Sequence, residues 1–454
     1  MLTPAAVIEN DAIARPNAYG QKIVRAAVSV TAASLLVKVI ATVKEIVLAG
    51  VYGRSDAMDA FLAALLIPNL LVNVISESMN QALLPTLVRV RLREGEERAQ
   101  ELLSNAMARL VALLAVICGV MAFTARLFFP IITWGFPAAK VDLCVRIFWM
   151  LLPTVLITGM ATNGAAVLNT LERFVLPALA PAVVSILVIT GALLLHRQLG
   201  IWAVVGATVL GTAAQQVAIA RSMARQGYPL RWHWGATGEA EREVQRQYGP
   251  VLLSAVVASA GLLVDQALAA ALPAGSVSSM AYAGRFVGVV LTLIAGAASS
   301  ALAPYFSMMA AQSDWKACRV TLRRGMLASA AATLPISLAM IAGAPALVRI
   351  TLQHGVFGAR DTAEVGRVLA MYALQIPFFA ASRVDYRFVL AMRRTDLVLR
   401  CGVLNLVLDV ALDLVLMRYF GVAGLALATS LWAVSTWVFF RVCAQRLLAQ
   451  AEAS

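Results

Sequence analysis

The chain repeats one motif about twelve times: an apolar stretch long enough to cross a bilayer. The stretches lie near 24–50, 60–86, 106–130, 143–168, 174–196, 200–220, 250–272, 279–306, 327–352, 365–392, 397–417 and 421–445. A membrane-crossing helix needs roughly 20 residues, and its backbone must satisfy its own polar groups because the hydrocarbon offers none. The pattern therefore predicts an all-α polytopic membrane protein with about twelve transmembrane helices. Composition agrees, at 61% hydrophobic and 13% charged residues with a mean hydropathy of +0.82. No soluble domain of 454 residues carries that balance. The short connections leave no room for a soluble catalytic domain. The first ~20 residues lack a signal-peptide pattern, so the first span reads as a retained helix.

A net charge of +13 in a soluble chain would suggest nucleic acid. Here its distribution excludes that reading. Counted from a cytoplasmic N-terminus, the basic clusters fall on one side: Arg89 to Arg98, Arg221 to Arg246, Lys316 to Arg324, Arg393 to Arg400, and Arg441 with Arg446. The opposite connections are nearly bare, with single residues such as Arg54, Arg197 or Arg418. This is the positive-inside pattern, with both termini cytoplasmic and an even number of spans. Membrane lipids are the expected partners of these arginines. The five cysteines and three histidines show no metal-ligand spacing.

Arg221 to Gly249 is the one substantial polar interruption, with Trp232 and Trp234 suited to an interface. It divides six spans from six and suggests two six-helix lobes around a central cavity. The expected organisation is a cytoplasmic tail over 1–22, a first lobe over 23–222, a cytoplasmic amphipathic linker over 223–248, a second lobe over 249–446 and a tail over 447–454. Pro68, Pro153, Pro177, Pro181, Pro335 and Pro377 interrupt spans. Each removes a helix hydrogen bond and marks a kink or a bending point.

Charges inside spans are the candidate functional residues. Each costs at least about 2.5–3.5 kcal/mol at the bilayer centre and usually faces a cavity or a partner. Lys38, Lys44 and Glu45 sit in the first span. Lys44 and Glu45 are adjacent, about 100° apart on a helix, a spacing that argues against mutual neutralisation. Lys38 and Asp59 also suit snorkelling toward an interface. Asn69, Asn73, Glu77 and Gln81 recur every four residues on the second span, making that face too polar for lipid. Arg285 lies about a turn inside the eighth span, and its planar fork suits a carboxylate or phosphate. Asp265 lies mid-span in the seventh, and Asn405, Asp409 and Asp413 share a face of the eleventh. Such oxygens can hold Na⁺ or relay a proton, or simply bond between helices. Arg383, Asp385 and Arg387 are either head-group readers or anchors. No nucleophile elbow, Walker A sequence or HExxH is present, so the chain reads as a transporter rather than an enzyme.

Several runs resemble the MurJ/MviN family of lipid II flippases, within the MATE-like multidrug and polysaccharide exporter (MOP) superfamily. They are Lys44-Glu45 through Gly53, Asp59-Ala60-Phe61, Pro68-Asn69, Glu77 through Gln81 to Pro85, Asn169 through Arg173-Phe174 to Pro181, Tyr282 through Arg285, and Gln353-His354-Gly355-Val356-Phe357. The resemblance implies alternating access that moves an undecaprenyl-pyrophosphate-linked saccharide across the bacterial inner membrane, with cationic residues holding the pyrophosphate. It also implies Na⁺ at the positions of Asp265, Asn405 and Asp409. Family arginines are replaced by Lys44, Gly50, Val72 and Asn73, and family members carry two more helices.

These departures favour, as the leading expectation, a flippase for an exopolysaccharide or O-antigen-type repeat unit. Lipid II itself is the alternative, and a non-transporting scaffold of a glycan-synthesis complex the alternative of another class. The expected substrate-binding set is Lys44, Glu45, Asp59, Asn69, Glu77, Gln81 and Arg285, of which the carboxylates and amides gate the cavity or bind sugar hydroxyls. Asp265, Asn405 and Asp409 are the expected Na⁺ or H⁺ coupling set. No other cofactor is expected. A glycan polymerase or glycosyltransferases are the candidate protein partners.

Overall fold

The computed structural model describes residues 16–229, 235, 238–312, 314–392 and 394–453. Among these there are twelve long helical rods and no strand. The first six are α1 (Pro16–Tyr52), α2 (Asp56–Glu94), α3 (Glu96–Ile132), α4 (Ala138–Thr170), α5 (Val175–Leu199) and α6 (Trp202–Arg225). The second six are α7 (Glu239–Ala270), α8 (Ser276–Ala311), α9 (Trp315–Leu352), α10 (Ala359–Ala391), α11 (Thr395–Phe420) and α12 (Val422–Ala453). All of these except α1 and α11 include a stretch long and apolar enough to cross a membrane by itself. Helix α11 carries Asp409 and Asp413 within its apolar run.

Two lobes result. In the first, α6 packs on α4 and α5, and α4 on α2 and α3. In the second, α10 packs on α8, α9 and α12, and α12 on α11. Small residues permit the close approaches: a Cβ on Gly191 of α5 would stand 2.9 Å from Ala207 of α6, and one on Gly211 would stand 2.8 Å from Val184. Phe128, Phe129 and Phe148 stack between α3 and α4. Large apolar side chains such as Phe123, Leu127, Leu194 and Ile350 point outward, as a lipid-facing surface requires.

Helix α7 differs from the rest because it belongs to both lobes. Its start packs on α2 and α3, and its later part on α11. The segment expected as a linker over 223–248 is therefore helical from Glu239 on. Arg98 pairs with Glu241 at 3.0 Å, and Arg89 pairs with Glu243. Trp232 and Trp234 lie outside the described residues. The last residues, expected as a tail, continue α12 to Ala453.

Helix α2 contains a π turn at Val72–Ser76, four residues after Pro68. Such wide turns leave carbonyls without helical partners. Two side chains take them: Tyr248 Oη of α7 donates to Ile75 O at 3.3 Å, and Asn163 Nδ2 of α4 donates to Ser76 O at 3.4 Å. The π turn also straightens the polar stripe of α2. Residues spaced by four drift by about 40° per step on an α-helix, and the wider turn takes back part of that drift. Asn69, Asn73, Glu77 and Gln81 are all exposed.

Candidate functional site

The two lobes are joined at one end by a polar seam. Asp59, 1% exposed, accepts from Lys140 Nζ at 2.9 Å, from the Gly275 N–H at 2.7 Å and from the Ser278 N–H at 2.9 Å. Lys140 also donates to Asp56 at 2.7 Å and sits over the Phe136 ring. Arg54 crosses to the second lobe, donating to Gly275 O at 3.1 Å and to Asp361 and Glu364 at 3.3 and 3.0 Å. Tyr282 Oη donates to Gly53 O at 2.9 Å, and the Val356 N–H to Gly50 O at 3.0 Å. A Cβ on Gly50 would stand 2.6 Å from the His354 ring, and one on Gly355 would stand 2.0 Å from Gly50 O. A side chain at position 50 would meet the His354 ring in this closed seam.

Asp59 was expected to snorkel or to meet substrate. Its oxygens are instead held by one ammonium and two backbone amides, so in this conformation it fastens the lobes together. Sequence reasoning missed Arg54, Lys140 and the loop glycines. The available signal was a lysine beside Phe136-Pro137 on the side otherwise nearly bare of charge.

One step inside the seam lies a cationic pair. Glu45 Oε1 receives Lys44 Nζ at 3.1 Å and Arg285 Nε at 3.2 Å. The pairing of neighbours Lys44 and Glu45 corrects the expectation that their 100° separation keeps them apart: the four-carbon lysine stem bends back along α1 to reach. Glu45 is buried, at 7% side-chain exposure, whereas Arg285 is 57% exposed. The site thus presents two cations from opposite lobes, held by one carboxylate, with the arginine fork open. Among the described residues, the polar contacts joining α1 to α8 end here. Beyond this point the exposed stripe of Asn69, Asn73, Glu77 and Gln81 runs down α2. Glu77 accepts from Asn80 at 3.4 Å on its own helix.

The acidic set lies apart, between α7 and α11. Asp265, Asp409 and Asp413 bring carboxylate oxygens within 4.8 Å of one another. Asp265 Oδ1 and Asp413 Oδ2 are buried without a partner. Asn405, expected in this set, is turned to α12 instead. It donates to Thr436 Oγ1 at 2.8 Å and accepts from Ser435 Oγ at 3.3 Å. Asp413, about two turns away on the same face, stands in the cluster. Three carboxylates, two of them with a buried unpartnered oxygen and none paired with a basic side chain among the described residues, fit a small hard cation or protons.

Arg383 stacks on Phe379, with the ring centroid 4.4 Å away, and Arg387 lies over Tyr386. Asp385 points away from both and pairs with Arg441 at 3.3 Å.

Comparison with known proteins adds a family. The family profile described as lipid II flippase MurJ matches residues 48–453. A probable lipid II flippase MurJ of Synechocystis is 25% identical over 414 residues, covering 88% of this chain and 77% of that protein. The lipid II flippase MurJ of Burkholderia cenocepacia is 25% identical over 363 residues, covering 77% of this chain and 70% of its own. Among solved structures, a lipid II flippase MurJ in an inward closed conformation superposes with a TM-score of 0.79 at 20% identity, over 92% of this chain and 87% of that one. An inward-facing multidrug MATE transporter of the MOP superfamily reaches 0.76 at 13% identity, over 94% and 99%.

Proposed function

The chain belongs to the MurJ lipid II flippase family, and on that premise we propose that it moves lipid II across the bacterial inner membrane. Lipid II here replaces the exopolysaccharide or O-antigen-type repeat unit that the missing family arginines had favoured. The family match over residues 48–453 and the names of the relatives support the change. The observation that carries the reading at the site is the Lys44–Glu45–Arg285 cluster. It joins cations of two lobes within 3.2 Å of one carboxylate, beside a polar cleft face.

A pyrophosphate entering the cleft competes with Glu45 for both cations. Arg285 offers a bidentate fork and Lys44 a point charge. Holding both lobes through one anion favours the state in which they stay close at that level. Releasing Asp59 and Arg54 from the loops at 275–278 and 361–364 opens the other side. The polar stripe of α2 offers hydrogen-bonding groups to saccharide and peptide hydroxyls and amides. The basic ends of the helices lie in the cytoplasm in this reading, so the cleft loads from the inner leaflet and the seam faces outward. The acidic cluster supplies the coupling, with Asp265, Asp409 and Asp413 holding Na⁺ or protons. Alternating access without ATP follows, since the chain carries no nucleotide-binding sequence.

The test is complementation of a bacterium depleted of its lipid II flippase, with membrane insertion checked by blot. Rescue by the parent chain and loss of rescue in Lys44→Ala and Arg285→Ala at equal expression are the expected results. Absence of rescue despite insertion returns the substrate to another lipid-linked glycan. Full rescue by both variants removes the cationic pair from the mechanism.

A further inference from the structure

At the end of the second lobe away from the seam, α9 and α12 enclose a pocket of about 300 Å³. It is lined by Arg319, Leu322 and Arg323 of α9 and by Arg441, Gln445 and Leu448 of α12. None of these residues belongs to α1, α2 or α8, which carry the cationic pair and the exposed polar stripe. The pocket is therefore separate from the transport site.

Its charge is not balanced from within. Arg441 leans on Asp385, which is fully buried behind it, and Arg319 pairs with Glu452 near the end of α12. Arg323 is exposed and has no carboxylate partner among the described residues. Three guanidinium groups thus meet two carboxylates, one of which is inaccessible to solvent. Below them the wall is apolar. Leu322 and Leu448 belong to a buried cluster with Phe306, Phe388 and Phe440. Guanidinium forks pair with phosphate oxygens in a planar, two-bond geometry. Gln445 adds an amide donor for an ester oxygen. An apolar wall under a basic rim, on the basic side of a membrane protein, matches a phosphodiester whose attached chains run alongside the helices.

We propose that this pocket binds the phosphate group of an anionic phospholipid of the surrounding leaflet. The full-length chain, purified in a neutral detergent, is titrated with phosphatidylglycerol, and separately with phosphatidylcholine of the same acyl chains and with inorganic phosphate. Occupancy is read by native mass spectrometry. Phosphatidylglycerol is expected to bind in preference to phosphatidylcholine. The Arg319→Gln/Arg323→Gln double variant is expected to bind it about thirtyfold more weakly. These two side chains are exposed, so their loss leaves the fold intact, which the thermal unfolding midpoint checks. Arg441 is left unchanged because Asp385 depends on it. An Arg360→Gln/Arg367→Gln control on α10, at the seam end, keeps parental affinity. Equal binding of phosphatidylcholine, or unchanged affinity in the Arg319/Arg323 double variant, overturns the proposal. Inorganic phosphate that displaces the lipid at millimolar concentration overturns the lipid as occupant and leaves a soluble phosphate in its place.

Discussion

Carboxylates inside this molecule are handled in opposite ways at two places. Asp59, at the seam, is surrounded by donors: one lysine and two backbone amides, all within 2.9 Å. Asp265, Asp409 and Asp413 are surrounded by one another, within 4.8 Å, and two of their oxygens are buried without a partner. Burial of an ionised carboxylate is unfavourable unless it is paired and hydrogen-bonded. The seam satisfies that requirement from the protein's own atoms, so Asp59 is a structural fastener between lobes. The acidic trio has no such donor bonded to those two oxygens among the described residues, and in the proposed mechanism a proton or cation from outside supplies the counter-charge. The two places thus differ in whether the protein's own atoms supply the counter-charge.

The largest expected effect attacks the seam. Asp59→Asn or Lys140→Met leaves a buried partner unpaired, at a cost of about 3–5 kcal/mol. Each single variant is expected to lower the thermal unfolding midpoint in detergent and to lose rescue. The Asp59→Asn/Lys140→Met double variant is expected to recover part of the stability, because neither charge is then orphaned. Single variants that melt with the parent would dissolve the contrast at its first term. Gly355→Ala comes next. Gly355 has φ +62° and its Cβ would stand 2.0 Å from Gly50 O, so the substitution strains the loop by about 1–3 kcal/mol and resists closure. Labelling of a Ser278→Cys reporter by a membrane-impermeant thiol reagent checks it. Ser278 is fully buried in the closed seam, and Gly355→Ala is expected to expose it.

The two groups also differ in how far the sequence reveals them. Period and length alone yield twelve helices, because a backbone in hydrocarbon has almost no other choice. The acidic trio was visible in outline. Asp409 and Asp413 sit one turn apart on α11, and Asp265 interrupts an otherwise apolar run. The error lay in ranking Asn405 above Asp413. Both lie on one helix face, and only the packing of α12, with Ser435 and Thr436, decides which way Asn405 turns. The seam was harder to read. Asp59 meets residues 81 and 216 to 219 positions away, and two of its partners are backbone amides, which carry no side-chain signal. Arg54 and Lys140 look like ordinary loop charges until the lobes come together around them. The Lys44–Glu45 pair failed for a different reason: helix angle fixes where Cβ points, not where a flexible ammonium ends.

The acidic trio predicts the opposite sign from the seam. Asp413→Asn removes one of three crowded negative charges. It is expected to raise the unfolding midpoint in Na⁺-free buffer, by on the order of 1 kcal/mol of stability. Adding Na⁺ in place of choline is expected to stabilise the parent, by about 1.4 kcal/mol at ten times the dissociation constant, and to stabilise Asp413→Asn less. A fall in midpoint like that of Asp59→Asn would mean that the trio is a fastener too.

The smallest effect belongs to the cleft face, which tests whether exposure inside a span means a solvated cavity. Asn69 and Gln81 are exposed on α2, in the middle and the later part of a helix that is otherwise largely buried. If that face lines water, Asn69→Ala and Gln81→Ala remove no buried hydrogen bond and shift stability by no more than about 0.5 kcal/mol. Their expected consequence is functional only: slower growth of the complemented strain at unchanged protein level and unfolding midpoint. Should either variant melt like a seam variant, the stripe is packed against protein rather than open to a substrate. The cleft would then have to lie on another face of α2. Should both melt and grow like the parent, the cleft is still open, but the saccharide is held elsewhere, and the Lys44–Glu45–Arg285 cluster alone would account for recognition.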